Sequence, residues 1–91
     1  MEFEWHKEKA VANFKKHDVS FEEAVLAFFD ENAVELFDEM NSKDEIRYQL
    51  IGISNTRLLF VAYTVRSEKI RIISARKANV RQIEIYDEQN K

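Results

Sequence analysis

Three apolar runs in the C-terminal half of the chain are separated by connections of only two residues. The runs cover residues 46–54, 57–66 and 69–75, and the connections are Asn55-Thr56 and Ser67-Glu68. Connections this short join neighbouring antiparallel strands, because a parallel crossover needs about a dozen or more residues. The pattern predicts a three-stranded antiparallel meander, around which the rest of the chain has to fold.

Two segments ahead of the meander, residues 6–16 and 21–29, have the apolar spacing of amphipathic helices. An apolar stripe of this kind usually faces the core, so we expect both helices to pack on the sheet. The packing that we predict joins the helix residues Phe14, Phe21, Val25 and Phe28 to the strand residues Leu50, Leu59, Val61 and Ile72.

The ends of these two helices carry local signals. Ser20 and Glu23 form a capping-box pattern, in which the Ser20 hydroxyl accepts from the Glu23 amide and the Glu23 carboxylate reaches back to the Ser20 amide. Asp18 follows the first helix, where a left-handed residue commonly ends a helix. Together they predict a short break between the helices.

Shorter elements complete the pattern. Phe3-Glu4-Trp5 alternates like a strand, residues 34–37 form a short strand, and a helix runs from about residue 76 to Tyr86. Gly52, the only glycine, marks either a bulge or a close approach of another backbone. The order predicts one α+β domain over residues 1–91, with an antiparallel sheet covered on one face by helices and the other face left for arginines.

The last strand of the meander carries charge among its apolar residues. Because side chains alternate along a strand, we expect Ile70, Ile72 and Ser74 on one face and Lys69, Arg71, Ile73 and Ala75 on the other. An unpaired guanidinium is costly to bury, so Arg71 must reach a carboxylate, a phosphate or water. The alternative interpretation is a half-exposed strand with solvated arginines.

Charge is divided unevenly along the chain. Residues 1–45 hold five Lys or Arg and thirteen Asp or Glu, whereas residues 46–91 hold nine and four. The overall charge of −3 therefore hides a basic C-terminal half. This division favours a basic face on the meander, although many domains are lopsided without functional reason.

The composition excludes several kinds of site. With no cysteine the chain lacks thiolate chemistry, and with one glycine it has neither a P-loop nor a dinucleotide-binding loop. Isolated histidines and scattered carboxylates lack the spacing of metal ligands, so we expect no metal or other cofactor. The apolar run at residues 58–62 is far shorter than the roughly 20 residues that cross a bilayer, and the acidic N-terminus is unlike a signal peptide. We therefore expect a cytoplasmic protein without a membrane partner.

Arginines on neighbouring strands are the strongest candidates for a functional site. Guanidinium groups stay charged and bind phosphate through paired hydrogen bonds, which suits a reaction in which negative charge builds on a phosphate. His17 is either a proton-transfer residue or a solvated histidine, and Glu45 is either a base or an ion-pair partner of Arg47. The candidate site residues are Arg47, Arg66, Arg71, Arg76, His17 and Glu45.

With these residues laid out, the sequence resembles the BrnT toxins of bacterial type II toxin–antitoxin systems over nearly its whole length. The motifs that carry the resemblance are Phe3-Glu4-Trp5, Val19-Ser20-Phe21-Glu22-Glu23-Ala24, Glu45-x-Arg47 and Ile70-Arg71-Ile72-Ile73-Ser74-Ala75-Arg76-Lys77-Ala78. The chain departs from the family pattern at His6, usually Asp, at Asp18, usually Gly, and at Gln82, usually Glu. These departures affect caps and turns and leave the arginines in place.

The resemblance implies a RelE-like fold and an endoribonuclease that cleaves RNA without a metal or cofactor. It also implies a BrnA-like ribbon-helix-helix antitoxin as partner, with DNA bound only indirectly through that antitoxin. A catalytically inactive module of the same fold that binds RNA or the antitoxin is the alternative, and the acidic overall charge keeps that alternative open. The basic meander predicts an acidic antitoxin segment whose binding weakens with salt.

Overall fold

The computed structural model describes residues 1–91 as a five-stranded sheet with three α-helices. The predicted order of elements is confirmed. Their bounds are β1 (Glu2–Glu4), α1 (Lys7–His17), α2 (Phe21–Ala27), β2 (Val34–Phe37), a 3-10 turn (Glu39–Asn41), β3 (Arg47–Ile53), β4 (Leu58–Arg66), β5 (Lys69–Lys77) and α3 (Val80–Gln89). None of the helices has the length and apolar character needed to span a bilayer.

The sheet order is β1-β5-β4-β3-β2. Strands β2 to β5 form an antiparallel meander, as predicted, and β1 joins β5 in parallel. The parallel pair sets Phe3 beside Ile70 and Glu4 beside Arg71. The sequence predicted a strand at the N-terminus without indicating which strand it joins.

The main core lies between α2 and one face of the sheet. Phe21 packs there with the predicted strand residues Leu50, Leu59, Val61 and Ile72, and Val25 and Phe28 pack against the same cluster. The prediction for Phe14 is wrong, because its side chain is 51% exposed. Helix α1 turns Asn13 towards the sheet instead, and Asn13 is its one buried residue.

Helix α3 lies on the opposite face of the sheet, so the prediction that helices cover a single face is wrong. Ile51 follows the core residue Leu50 along β3 and therefore points away from that core. Ile51 pairs with Phe60, which pairs with Arg76, and Arg76 donates a hydrogen bond to Gln82 of α3. Helix α3 thus covers the end of this second face that carries Ile51 and Phe60. The end that carries Arg47 and Arg71 is left open.

The local signals at the helix ends are confirmed in part. Asp18 is left-handed with φ 58°, and the Ser20 hydroxyl accepts from the Glu23 amide at 3.0 Å. The return bond of the capping box is replaced, because the Glu23 carboxylate binds Arg57 at 2.7 and 2.8 Å and Ser54 at 2.8 Å. The Arg57 guanidinium holds the pKa of Glu23 below its usual range.

A bulge in β5 changes the faces that simple alternation predicts. Thr64 pairs with Arg71 and Ala62 pairs with Ser74, so the register shifts by one residue between them. The shift turns Ala75 into the core with Ile72 and puts Ser74 on the face of Arg71, which reverses the predicted sides of both residues. Arg76 follows onto that same face. The bulge therefore gathers Arg71, Ser74 and Arg76 on one surface.

Candidate functional site

Four side chains from four strands form one row across the open part of the second face. Register partners place Glu4 beside Arg71, Arg71 beside Thr64, and Thr64 beside Arg47. Cross-strand partners project to the same side, and neighbouring strands are about 4.8 Å apart, so Arg47 and Arg71 emerge about 10 Å from each other. Thr64 fills the space between them and donates its hydroxyl to the Ile46 carbonyl at 2.6 Å.

Arg66 and Glu45 form an ion pair beside this row. Two guanidinium nitrogens of Arg66 donate to the Glu45 carboxylate at 2.5 and 3.1 Å. These bonds hold the pKa of Glu45 below its usual range, and the charges of Arg47 and Arg71 lower it further. Glu45 was expected to act as a base or to pair with Arg47, and its ion-pair partner is Arg66. The structure thus brings Arg47, Arg66, Arg71 and Glu45 into one cluster.

Glu4 belongs to the same cluster and was missed by the sequence reasoning. Its carboxylate lies 3.3 Å from Nη1 of Arg71, and both side chains are half-buried. The alternation of Phe3-Glu4-Trp5 indicated a strand, but only the parallel pairing with β5 shows that Glu4 reaches Arg71. Arg71 therefore meets a carboxylate, one of the partners that its predicted position required.

Arg76 lies apart from the cluster, two rows further along the sheet. Its guanidinium carbon is 4.6 Å from the centre of the Phe60 ring, and its Nη1 donates to Gln82 at 3.2 Å. It also donates to the Lys77 carbonyl at 3.4 Å. Aromatic stacking and these two neutral hydrogen bonds orient the guanidinium without neutralising it. Neither Arg76 nor Arg47 takes part in any of the six ion pairs of the structure. Both are available to an incoming anion.

Small and neutral side chains form the floor between the arginines. Ser74, Ala62 and Gln49 are register partners and make the row that lies between the Arg71 row and the Arg76 row. With about 3.4 Å per residue along a strand, the two arginine rows are about 13 Å apart. The surface is thus a shallow trough, with positive charge at both ends and a polar, low floor.

His17 and two lysines border the trough at the outer edge of β5. Lys9, Lys16 and His17 of α1 line a shallow cavity of about 300 Å³ together with Ile73 and Ser74. Helix α1 runs along β5 beyond the end of β1, which brings these side chains next to the Ser74 row. The predicted residue His17 is therefore beside the floor, on the opposite side of β5 from Glu45 and β3.

The trough offers cationic groups, one imidazole and two carboxylates around an open floor. Such a set can bind a phosphate diester and exchange a proton with a hydroxyl next to it. No three His, Asp or Glu side chains come together as a possible ligand set for a metal ion.

Comparison with known proteins identifies one family. A family model with the description "Ribonuclease toxin, BrnT, of type II toxin-antitoxin system" matches residues 5–82. The matched range contains Arg47, Arg66, Arg71, Arg76, His17 and Glu45 and ends at Gln82, which contacts Arg76. No curated protein matches the sequence.

Proposed function

Because the chain belongs to the BrnT family of ribonuclease toxins from type II toxin–antitoxin systems, we propose that it is an endoribonuclease that cleaves RNA on the arginine-lined trough without a metal ion. The observation that carries the proposal is the placement of Arg71 and Arg76 at opposite ends of one floor, with Arg47 in the same row as Arg71. An RNA strand lying across the floor would bring phosphates to both ends.

The arginines supply the charge stabilisation that the reaction needs. In metal-independent cleavage the 2′-oxygen attacks the adjacent phosphorus, the bond to the 5′-oxygen breaks, and the products are a 2′,3′-cyclic phosphate and a 5′-hydroxyl. Negative charge builds on the non-bridging oxygens during the attack. Donors that are held in place before the reaction stabilise that charge, and Arg76 is oriented in this way by Phe60 and Gln82.

His17 is the best placed group for proton transfer. A base must accept the proton of the 2′-hydroxyl and an acid must give one to the leaving 5′-oxygen, and imidazole serves either role near neutral pH. His17 borders the floor beside Ser74. Glu45 is bound to Arg66, which favours its ionised form and makes it a weaker base, so we assign the Arg66–Glu45 pair to positioning the arginine cluster.

The wider assignment follows from the family. We propose that the chain is one domain with a RelE-like fold, since two helices on one face and an antiparallel meander fit that architecture. Its partner would be a ribbon-helix-helix antitoxin that neutralises it and binds DNA on behalf of the complex. The site of action would be the cytoplasm, where RNA and antitoxin are both present.

Cleavage of a labelled RNA by the purified protein in EDTA tests the function directly. We expect cleavage by the wild type and a loss of about 10²–10³ in rate for Arg76→Ala, the usual effect of removing one pre-placed charge-stabilising donor. Arg76→Lys should recover only part of that loss, because lysine keeps the charge without the planar fork.

Arg81→Ala is the matched control, because Arg81 lies on α3, is solvent-exposed and has only Glu84 at 4.0 Å as a partner. It should cleave at the rate of the wild type. If the wild type binds RNA without cutting it, both free and on ribosomes, the inactive binding module is correct. If Arg76→Ala cuts as fast as Arg81→Ala, the trough is not the active site.

A further inference from the structure

The face of the sheet that carries the main core is left open at its far end, where Val65 of β4 is exposed. Helix α2 packs above Leu50, Leu59 and Val61. Beyond this helix an apolar groove of about 550 Å³ crosses strands β2 to β5. We define the apolar groove by the residues Phe28, Tyr48, Leu50, Tyr63, Val65 and Ile70.

The groove has the dimensions of a helix-packing site. Four strands at about 4.8 Å spacing make a floor about 14 Å wide, and an α-helix with its side chains is about 10–12 Å across. Phe28 closes the end next to α2 through edge contacts with Phe3 and Tyr63, at centroid distances of 5.1 and 5.0 Å. Val65, at the open end of the floor, is 51% exposed. Leu50 and Tyr63 lie buried at the bottom of the groove, whereas Met1 and Val65 leave its open end exposed. An apolar pocket with an exposed end is typical of a binding surface.

The charge around the groove restricts what can occupy it. Asp30, Glu31 and Glu35 line it, and no Lys or Arg does. An acidic rim disfavours RNA, which binds through its phosphates. It also disfavours a second copy of the chain, because a two-fold interface would set each acidic rim against its own copy. A segment with an apolar face bordered by Lys or Arg fits both the floor and the rim.

We propose that the apolar groove is the docking site for a basic amphipathic helix of a protein partner, on the opposite face of the sheet from the trough. Family membership implies an antitoxin as a partner of this protein. The apolar floor and acidic rim of the groove determine which kind of segment of that partner would bind there. The inference does not depend on RNA cleavage, so an inactive protein would still bind the helix.

Binding of two designed helical peptides, measured by fluorescence anisotropy, tests this inference. One peptide has a leucine face bordered by lysines, and the other has the same leucines bordered by glutamates. We expect the lysine peptide to bind and the glutamate peptide to bind at least about tenfold more weakly. Val65→Asp, at the exposed end of the floor, should weaken binding of the lysine peptide about tenfold or more, since the bound peptide would bury the new carboxylate.

Glu31→Lys is a second variant that leaves the floor intact, and it should weaken the lysine peptide and reduce its dependence on salt. Val80→Asp is the matched control, because Val80 is exposed at the start of α3 on the other face. It should bind like the wild type. Equal binding to the wild type and Val65→Asp, or no binding at all, overturns the proposal. A preference for the glutamate peptide would move the docking site to the trough, and a dimer that Val65→Asp dissolves would show that a second copy occupies the groove.

Discussion

Asn13 of α1 takes the place of a neighbouring strand for Ala75 of β5. Its Nδ2 donates to the Ala75 carbonyl at 2.8 Å, and its Oδ1 accepts from the Ala75 amide at 3.1 Å. The same Nδ2 also donates to the Val19 carbonyl at 3.0 Å. β1 pairs with β5 only as far as Arg71, so one side-chain amide caps the sheet edge where β1 has ended. It also fixes α1, and with it His17, beside the trough.

Removing this amide should destabilise the protein strongly. Asn13→Ala leaves a buried N–H and two carbonyls without partners, which predicts a loss of about 2–4 kcal/mol in the free energy of unfolding. Asn13→Asp should cost more, because a carboxylate would face two carbonyl oxygens that it cannot donate to. Urea denaturation measures both, with the exposed Lys15→Ala on the same helix as control. Asn13→Ala within about 0.5 kcal/mol of that control would contradict the strand-replacement role.

Features that depend on a few adjacent residues could be predicted from the sequence. The left-handed Asp18, the Ser20 cap and the two-residue turns were predicted because their hydrogen bonds join residues at most four apart. The apolar spacing likewise predicted α2 and the strands that it covers. The same local reasoning failed for α1, because the spacing of Phe14 fits a core face and gives no indication that Asn13 will be turned inward.

Features that depend on the exact register of distant strands could not be predicted. The pairing of Glu4 with Arg71 needs the register of two strands 67 positions apart, and no local pattern encodes that register. No sequence signal marks the bulge in β5 either, since Ile72-Ile73 has the composition of a continuous strand. Without the bulge Arg76 would lie on the core face, so the gathering of candidate arginines depends on a feature that alternation hides.

Gly52 is a position where any side chain should be destabilising. A Cβ there would lie 2.5 Å from the carbonyl oxygen of Ala27 at the end of α2, and 3.3 Å from the Ala33 Cβ. Of the two predicted explanations for Gly52, the close approach of another backbone is therefore confirmed. Backbone atoms cannot rotate away as a side chain can, so Gly52→Ala should lower the free energy of unfolding by about 1–3 kcal/mol. A thermal melt equal to that of the wild type would contradict this contact.

The Glu23–Arg57 pair predicts a loss of stability in acid. The pKa of Glu23 is lowered in the folded protein by hydrogen bonds from Arg57, so protonation favours the unfolded state. The stabilisation is complete above the unfolded pKa of about 4.3 and is lost as the pH falls through the lower folded value. Urea midpoints should therefore fall between about pH 5 and pH 3. Glu23→Gln should be less stable near pH 7 and should show a shallower fall, and an equally steep fall would assign the effect to other carboxylates.

Asn-Gly should fit the turn between β4 and β5 better than the native residues. Ser67 and Glu68 both have positive φ, 49° and 67°, which is the geometry of a type I′ turn. Side chains with a Cβ are strained there, whereas Asn and Gly are the preferred pair. The double variant Ser67→Asn, Glu68→Gly should raise the free energy of unfolding by about 1 kcal/mol, as measured in urea. A single Glu68→Val should lower it, and the opposite order of stabilities would contradict the turn type.

Glu4 competes with RNA for Arg71 if the trough binds phosphate. The two groups are 3.3 Å apart, so an incoming phosphate must displace a carboxylate that already neutralises the guanidinium. Glu4→Gln should therefore tighten the binding of a 2′-O-methyl RNA, which cannot be cleaved, by about threefold to tenfold, and Arg71→Ala should weaken it.

Glu2→Gln separates this effect from a general change in charge. Glu2 lies on the same strand as Glu4 and is the more exposed of the two, and its nearest cation is Lys69 at 3.9 Å. The substitution Glu2→Gln removes the same charge without freeing Arg71, so its effect on RNA affinity should be smaller than that of Glu4→Gln. Equal effects would mean that only net charge matters. If Glu4→Gln tightens binding of the 2′-O-methyl RNA but abolishes cleavage of unmodified RNA, Glu4 also takes part in the reaction, and its carboxylate is needed next to Arg71 when the phosphate binds.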